Sequence, residues 1–200
     1  TGVNPTETGQ RLIDHAMDIE LRIDRMTEDA APDSDTSGVL RLVGNAWVLD
    51  RLAERALAAF LTAHPRMELR LITRLPLVPS RSHPTLSLWF DKAPQPGDFA
   101  VRLGQVPYGV FGAVGSTCKD WVTILDEDFP GQTIVRVMEQ QRRQQGGLLR
   151  LTATDSRILA AAIRSGLGRG LLPLCQGDEI PGLERQDSGA PLLMRSLHLQ

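Results

Sequence analysis

Val39-Leu-Arg-Leu-Val-Gly-Asn45 is a short apolar run that is bounded by glycine, and it predicts a buried β-strand. Residues 47–63 then repeat apolar side chains on one helical face, and His64-Pro65 ends that predicted helix. Met67-Glu-Leu-Arg-Leu-Ile72 predicts the next strand. Because a strand–helix–strand order at this spacing favours a right-handed crossover between parallel strands, we expect an α/β fold.

A second series of the same kind follows later in the chain. Its strands are predicted at 121–125, 148–153 and 171–174, and its helices at 133–145 and 156–165. The run Gly166-Leu-Gly-Arg-Gly170 lies after a helix and before a strand, which is the wrong order for a phosphate-binding loop, so we interpret it as a helix C-terminal turn. Two such series predict two small α/β lobes.

The first 30 residues have a different character. Residues 2–30 predict an amphipathic helix that begins near Asn4-Pro5-Thr6-Glu7 and ends before the proline- and serine-bearing linker at 31–38. Its apolar residues recur at alternating spacings of about three and four, the pattern of a helix–helix seam. They are Leu12, Ala16, Ile19, Ile23, Met26 and Ala30. We expect a dimerisation arm, which favours a regulator over an enzyme.

Composition narrows the class of protein. The chain has 200 residues, of which 42% are hydrophobic and 23% charged, as in soluble globular proteins. Its net charge is −2, and residues 1–30 hold three arginines against seven acidic residues. Neither part has the dense basic face that DNA phosphates require, and no apolar run reaches the roughly 18–20 residues of a membrane span. We therefore predict a cytoplasmic protein without a membrane partner.

The residue types that perform catalysis are scattered. The four histidines share no segment, and no nucleophile elbow, zinc-binding helix or phosphate-binding loop is present. Cys118 and Cys175 lack metal-site spacing, so they are expected to be reduced and mostly buried thiols; a redox switch is the alternative. We predict no enzyme activity, no cofactor and no metal site. The acidic run 126–128 is interpreted as a solvated loop.

A ligand site is the stronger expectation. In open parallel sheets, ligands lie beyond the carboxyl ends of the strands and against helix N-termini. That rule selects eight residues: Asn45, Ala46, Trp47, Thr73, Arg74, Asp126, Thr154 and Asp155. Arg74 and the helix starts favour an anionic ligand such as a carboxylate, and Trp47 favours an aromatic or apolar part. The alternative is that Asn45, Thr154 and Asp155 only cap helices, and the two roles are compatible.

Several motifs resemble one family, the LysR-type transcriptional regulators. They are Gly2-Val3 with Pro5-Thr6, Gly9, Leu12 and Ala16; Gly38-Val-Leu-Arg-Leu42; Ala59-Phe60 through His64-Pro65 with Glu68-Leu-Arg-Leu71; and Ala161-Ala-Ile-Arg-Ser-Gly-Leu-Gly-Arg-Gly-Leu-Leu-Pro173. The last run is the most specific. Two departures from the family pattern are the prolines within 74–84 and a chain that stops at Gln200, short of the strand and helix that usually close the first lobe.

The resemblance implies two Rossmann-like lobes of the type 2 periplasmic-binding-protein-like fold, preceded by a long amphipathic linker helix. It implies a linker region at 1–37, lobe 1 at 38–114 plus 177–200, and lobe 2 at 115–176. It further implies a small-molecule effector bound between the lobes, a homodimer or homotetramer, and DNA contact through a winged helix-turn-helix upstream of Thr1. A free-standing or transporter-linked solute-binding protein of the same fold is the alternative.

Overall fold

The computed structural model describes residues 37–73, 84–90, 100–125, 132–187 and 189–200. The predicted helix over 2–30 and its seam, together with Arg74 and Asp126, lie outside these described residues.

The described residues form nine strands and five α-helices, with one π-helical turn between the first two helices. In chain order they are β1 (Gly38–Val43), α1 (Ala46–Leu52), the π-helical turn (Ala53–Leu57), α2 (Ala58–Ala63), β2 (Met67–Ile72), β3 (Thr85–Phe90), β4 (Val101–Ala113), β5 (Trp121–Ile124), α3 (Thr133–Gln145), β6 (Leu149–Ala153), α4 (Ser156–Arg164), β7 (Gly170–Pro173), α5 (Leu174–Gly177), β8 (Leu183–Arg185) and β9 (Leu193–Leu199).

By packing density the described residues divide into two compact units, and the first comprises residues 37–43, 53–73 and 84–86. Within it β1 and β2 pair in parallel, from Gly38 opposite Met67 to Val43 opposite Ile72. The Arg41 N–H also donates a hydrogen bond to the Pro84 carbonyl at 3.0 Å. The strand–helix–strand order predicted for residues 39–72 is therefore confirmed, including the parallel pairing.

The second unit comprises residues 44–52 and 87–200. Here β4 pairs antiparallel with β9, β7 and β8, and β9 also pairs with β3. The sequence patterns predicted neither β4 nor β9. The lobe boundaries predicted from the resemblance stay a prediction, since packing density does not measure which residues move together.

β5 and β6 pair in parallel as a two-stranded sheet, and helices pack on both sides of β5 and of the neighbouring strands β7 and β4. Alternate strand residues point to opposite faces, so Trp121 packs with α3 while its neighbour Val122 packs with α4. The α3 cluster is Tyr108, Val110, Trp121, Ile134, Met138 and Leu171, and the α4 cluster is Phe111, Val122, Leu159, Ala160, Ile163 and Leu172. Two apolar layers on opposite sides of the strands are typical of an α/β unit.

The glycine run after α4 is a helix end, as the sequence predicted. Gly166 has φ +80°, its N–H donates to the Ile163 carbonyl, and the Leu167 N–H donates to the Ala162 carbonyl. This pair of bonds is the Schellman motif, which satisfies the last carbonyls of a helix.

The connection between α3 and β6 is anchored on Asp120 and Trp121. The Asp120 carboxylate accepts from the Leu148 N–H at 2.9 Å and from Arg150 Nη1 at 3.0 Å, and these bonds, the backbone one most, hold the pKa of Asp120 below its usual value. Trp121 Nε1 donates to the Gly146 carbonyl at 2.9 Å. The chain at Gly147 therefore passes directly against the Lys119 carbonyl, with φ +98°.

Gly147→Ala is expected to destabilise the fold by about 2–5 kcal/mol, because a left-handed backbone and a collision with the Lys119 carbonyl add together. Gly166→Ala is the matched control: its φ is +80°, but a Cβ there meets open space, so about 1–2 kcal/mol is expected. Urea unfolding of both variants gives the two free energies. Equal losses would contradict the close approach at Gly147.

Candidate functional site

The first part of the predicted site is the start of α1. Asn45 directly precedes this helix, and its carbonyl accepts from the N–H groups of Val48 at 3.0 Å and Leu49 at 3.1 Å. Val48 and Leu49 are buried, whereas the Asn45 side chain is exposed. The amide of Asn45 is therefore available at the end of β1, where the sequence placed it.

Trp47 is half-buried and belongs to an aromatic cluster. Its ring stacks on Phe90 with the centroids 5.8 Å apart, and Phe90 meets Tyr108 edge-on at 6.5 Å. The Arg195 guanidinium lies over Phe90 at 4.7 Å and over Tyr108 at 5.6 Å. The sequence indicated Trp47 alone; Arg195 was missed because it lies on β9, which the sequence patterns did not predict.

The second part is the start of α4. Asp155 has an extended backbone, and its carboxylate accepts from the Arg157 N–H at 2.7 Å, which makes it the helix N-cap. Thr154 precedes it and is exposed. Capping is therefore observed for Asp155, and because a capping residue can also contact a ligand, its ligand role stays a prediction, as does that of Thr154.

Side-chain bonds join α1 to the start of α4 and to the segment after α5. Asp50 of α1 pairs with Arg157 of α4 through two atoms each, with Arg157 Nε 2.6 Å from Asp50 Oδ2. Arg51, the next residue of α1, lies 2.5 Å from Glu179 Oε2 and also donates to the Cys175 carbonyl. The structure thus holds α1, which Asn45 precedes, against α4, which Asp155 caps.

A polar group on α5 adds to this arrangement. Gln176 Nε2 donates to the Ser156 hydroxyl at 3.4 Å, and Gln176 Oε1 is buried without a hydrogen-bond partner among the described residues. Asp50, Arg51, Arg157 and Gln176 were all missed by the sequence reasoning. Their partners lie far away along the chain, so no local spacing could have indicated them.

The remaining predicted residues are not placed in this group. Thr73 follows β2 in the first compact unit and is exposed. Arg74 and Asp126 lie outside the described residues. Their assignment to a ligand site stays a prediction.

The two cysteines are free, with Cys118 half-buried and Cys175 exposed. The prediction of mostly buried thiols is therefore wrong for Cys175, because α5 is one short turn that directs Gly177 inward and leaves Cys175 outside.

In the described part of the chain, no group of three His, Cys, Asp or Glu side chains could hold a metal ion. Among the same residues, no helix is long and apolar enough to cross a membrane.

The starts of α1 and α4 carry groups that can contact a ligand. The start of a helix offers N–H donors and a positive dipole end, and Arg157 adds a guanidinium in the first turn of α4. Trp47 adds an aromatic surface at the start of α1. Asp50 pairs with the Arg157 guanidinium through both carboxylate oxygens, and Asp155 accepts from the Arg157 backbone N–H, so an anion would meet a guanidinium that is already paired.

Solved structures with the same fold exist. One is a probable transcriptional regulator from Pseudomonas aeruginosa, 13% identical, which matches over 98% of this chain and 72% of its own with a TM-score of 0.70. Another is the regulatory domain of CrgA, a LysR-type transcriptional regulator from Neisseria meningitidis, 18% identical, with 82% of this chain and 88% of that one covered and a TM-score of 0.64. The chain has the fold of a LysR-type regulatory domain.

This likeness extends to the larger CrgA structure, which is 17% identical, covers 97% of this chain and 72% of its own, and has a TM-score of 0.64. No family model matches the chain, and no curated protein sequence matches it significantly. The predicted fold class, α/β with the periplasmic-binding-protein-like architecture, is confirmed, and so is the resemblance to LysR-type regulators at the level of the fold.

Asp155→Ala is expected to lower the free energy of unfolding by about 1 kcal/mol, because the Arg157 N–H loses its acceptor at the start of α4. Asp155→Asn keeps a side-chain oxygen and should remain within a few tenths of a kcal/mol of the parent. Chemical denaturation of the three proteins measures the difference. A loss for Asn as large as that for Ala would contradict the cap.

Proposed function

We propose that the chain is the effector-sensing and oligomerising part of a bacterial-type LysR-family transcriptional regulator. The observation that carries the proposal is the fold shared with the regulatory domain of CrgA over 82% of this chain and 88% of that one. The named neighbours are transcriptional regulators, which favours a regulatory role over an enzymatic one. We place the protein in the cytoplasm, where DNA and metabolites meet.

The effector is proposed to bind beside the starts of α1 and α4. Asn45, Ala46 and Trp47 supply an amide and an aromatic ring, and Thr154 and Asp155 supply polar groups at the α4 N-terminus. Arg157 extends that set with a guanidinium. An aromatic or otherwise apolar carboxylate suits this chemistry, because charge-assisted hydrogen bonds hold the carboxylate while the ring packs on Trp47. Thr73, Arg74 and Asp126 remain proposed members of the site.

Assembly is proposed to use the seam of the N-terminal helix. Leu12, Ala16, Ile19, Ile23 and Met26 would pair with the same residues of a second copy, giving a homodimer or, with further contacts, a homotetramer. DNA contact would come from a winged helix-turn-helix upstream of Thr1. Effector binding would favour one arrangement of lobes 38–114 plus 177–200 and 115–176 and so reposition the DNA-binding arms, which is allostery between two sites.

The proposal predicts DNA binding by the natural reading frame extended upstream of Thr1 and its absence in this chain alone. The physical reason is charge: residues 1–30 carry seven acidic residues against three arginines, so the phosphates must be neutralised elsewhere. A duplex-shift assay at rising salt compares the two proteins. Steep loss of binding with salt in the extended protein alone is expected.

Binding by neither protein would overturn the regulator proposal. The chain would then be treated as a solute-binding protein of the same fold, and a monomer in solution would support that alternative.

A further inference from the structure

Two neighbouring residues of opposite charge on α1 each form an ion pair with a residue of the opposite charge elsewhere in the fold. Asp50 and Arg51 are consecutive residues near the end of that helix. Asp50 pairs with Arg157 on α4, and Arg51 pairs with Glu179 just after α5. The partners lie 107 and 128 residues away along the chain, so both pairs are purely tertiary.

The two pairs are geometrically well made. Asp50 and Arg157 bond through both carboxylate oxygens, the bidentate geometry that an arginine fork favours. Arg51 divides its guanidinium between the Glu179 carboxylate and the Cys175 carbonyl. Asp155 additionally holds the backbone of Arg157 in place. The backbone that carries the Arg157 guanidinium is therefore fixed at the start of α4.

The charge order permits one arrangement only. If α1 slid or rotated so that Arg51 approached Arg157, Asp50 would approach Glu179, and like charges would face each other twice. Unfavourable pairing in the wrong register is how charges specify one contact against others. The four side chains therefore select the position of α1 on α4 and α5.

The same charges remain accessible to water and salt. The side chains of Asp50 and Arg157 are 35% and 62% exposed, and those of Arg51 and Glu179 are 26% and 54% exposed. Ion pairs this exposed contribute little free energy each and are screened by salt. Each ion pair therefore adds a small free-energy preference for this position of α1, and each can open and close reversibly.

We infer that Asp50, Arg51, Arg157 and Glu179 form a charge latch that holds the first two turns of α1 against α4 and α5 and opens as ionic strength rises. Its four members are positioning residues, because they hold α1, which follows Asn45, against α4, which follows Asp155. The regulatory meaning of the latch rests on the proposed function, because those starts are the proposed effector site. The latch itself requires neither effector nor DNA.

Hydrogen–deuterium exchange of the segment 44–52, measured by mass spectrometry without added ligand, tests this inference. Val48 and Leu49 are buried, and their amides bond only within the first turn of α1, which frays once the helix is released. Asp50→Arg and Arg157→Asp are each expected to speed exchange there about fivefold, the factor for losing a surface pair at the upper end of its usual strength. The parent should show a similar rise between about 0.01 M and 1 M NaCl.

The double variant D50R/R157D exchanges the two charges, so that an arginine on α1 again faces an aspartate on α4. It should return the exchange rate to within about twofold of the parent. Arg150→Asp is the matched control: it breaks the exposed pair with Asp120 elsewhere in the same unit and should leave 44–52 unchanged. If a charge reversal fails to fold, Asp50→Asn and Glu179→Gln give the same readout.

Unchanged exchange in the single variants, or a double variant no better than either single one, would overturn the latch. Because no effector or DNA is present, that result leaves the proposed function standing. Conversely, a protein that never binds DNA can still show the latch, so the two failures are distinguishable.

Discussion

Strand β4 carries the constraint on which the rest of the structure depends, because its thirteen residues pair with β9, β7 and β8. Those three strands come from the last third of the chain, so β4 brings 170–173, 183–185 and 193–199 together. Its alternating side chains then supply both apolar layers: Val110 faces the α3 cluster and Phe111 faces the α4 cluster. The position of α4, and with it the capped start at Asp155, follows from this sheet.

On that framework α1 is held by two kinds of contact. Val48 and Leu49 are buried, and Asp50 and Arg51 carry charged bonds to α4 and to the segment after α5. The buried residues fix α1 on the core, and the exposed ion pairs add a contribution that depends on salt. The β4 framework itself has core residues that are nearly inaccessible to water.

Sequence patterns predicted the elements whose signal is local. The strand at 39–45, the helix from Trp47 and the alternation from Trp121 to Pro173 follow from periodicity and from glycine and proline positions. β4 and β9 were not predicted, because their pairing joins residues far apart along the chain, such as Gln105 and Ser196. Gly104 and Pro107 also interrupt the strand pattern of β4. The helix starts of the site were predictable from the strand-end rule. The ion pair between the two helices was not predictable, because nothing near Asp50 in the sequence points to Arg157.

The measurement that tests the central claim most directly is NMR mapping of carboxylate binding to the protein. Benzoate and related aromatic and aliphatic carboxylates are added to the labelled chain, to Thr154→Val and to the control Thr152→Val, whose threonine is also exposed but lies on β6. The account predicts amide shifts at 45–47 and 154–157, weaker affinity in Thr154→Val and unchanged affinity in the control. Shifts confined to other residues, or equal affinity in all three proteins, would contradict a ligand site at the paired helix starts.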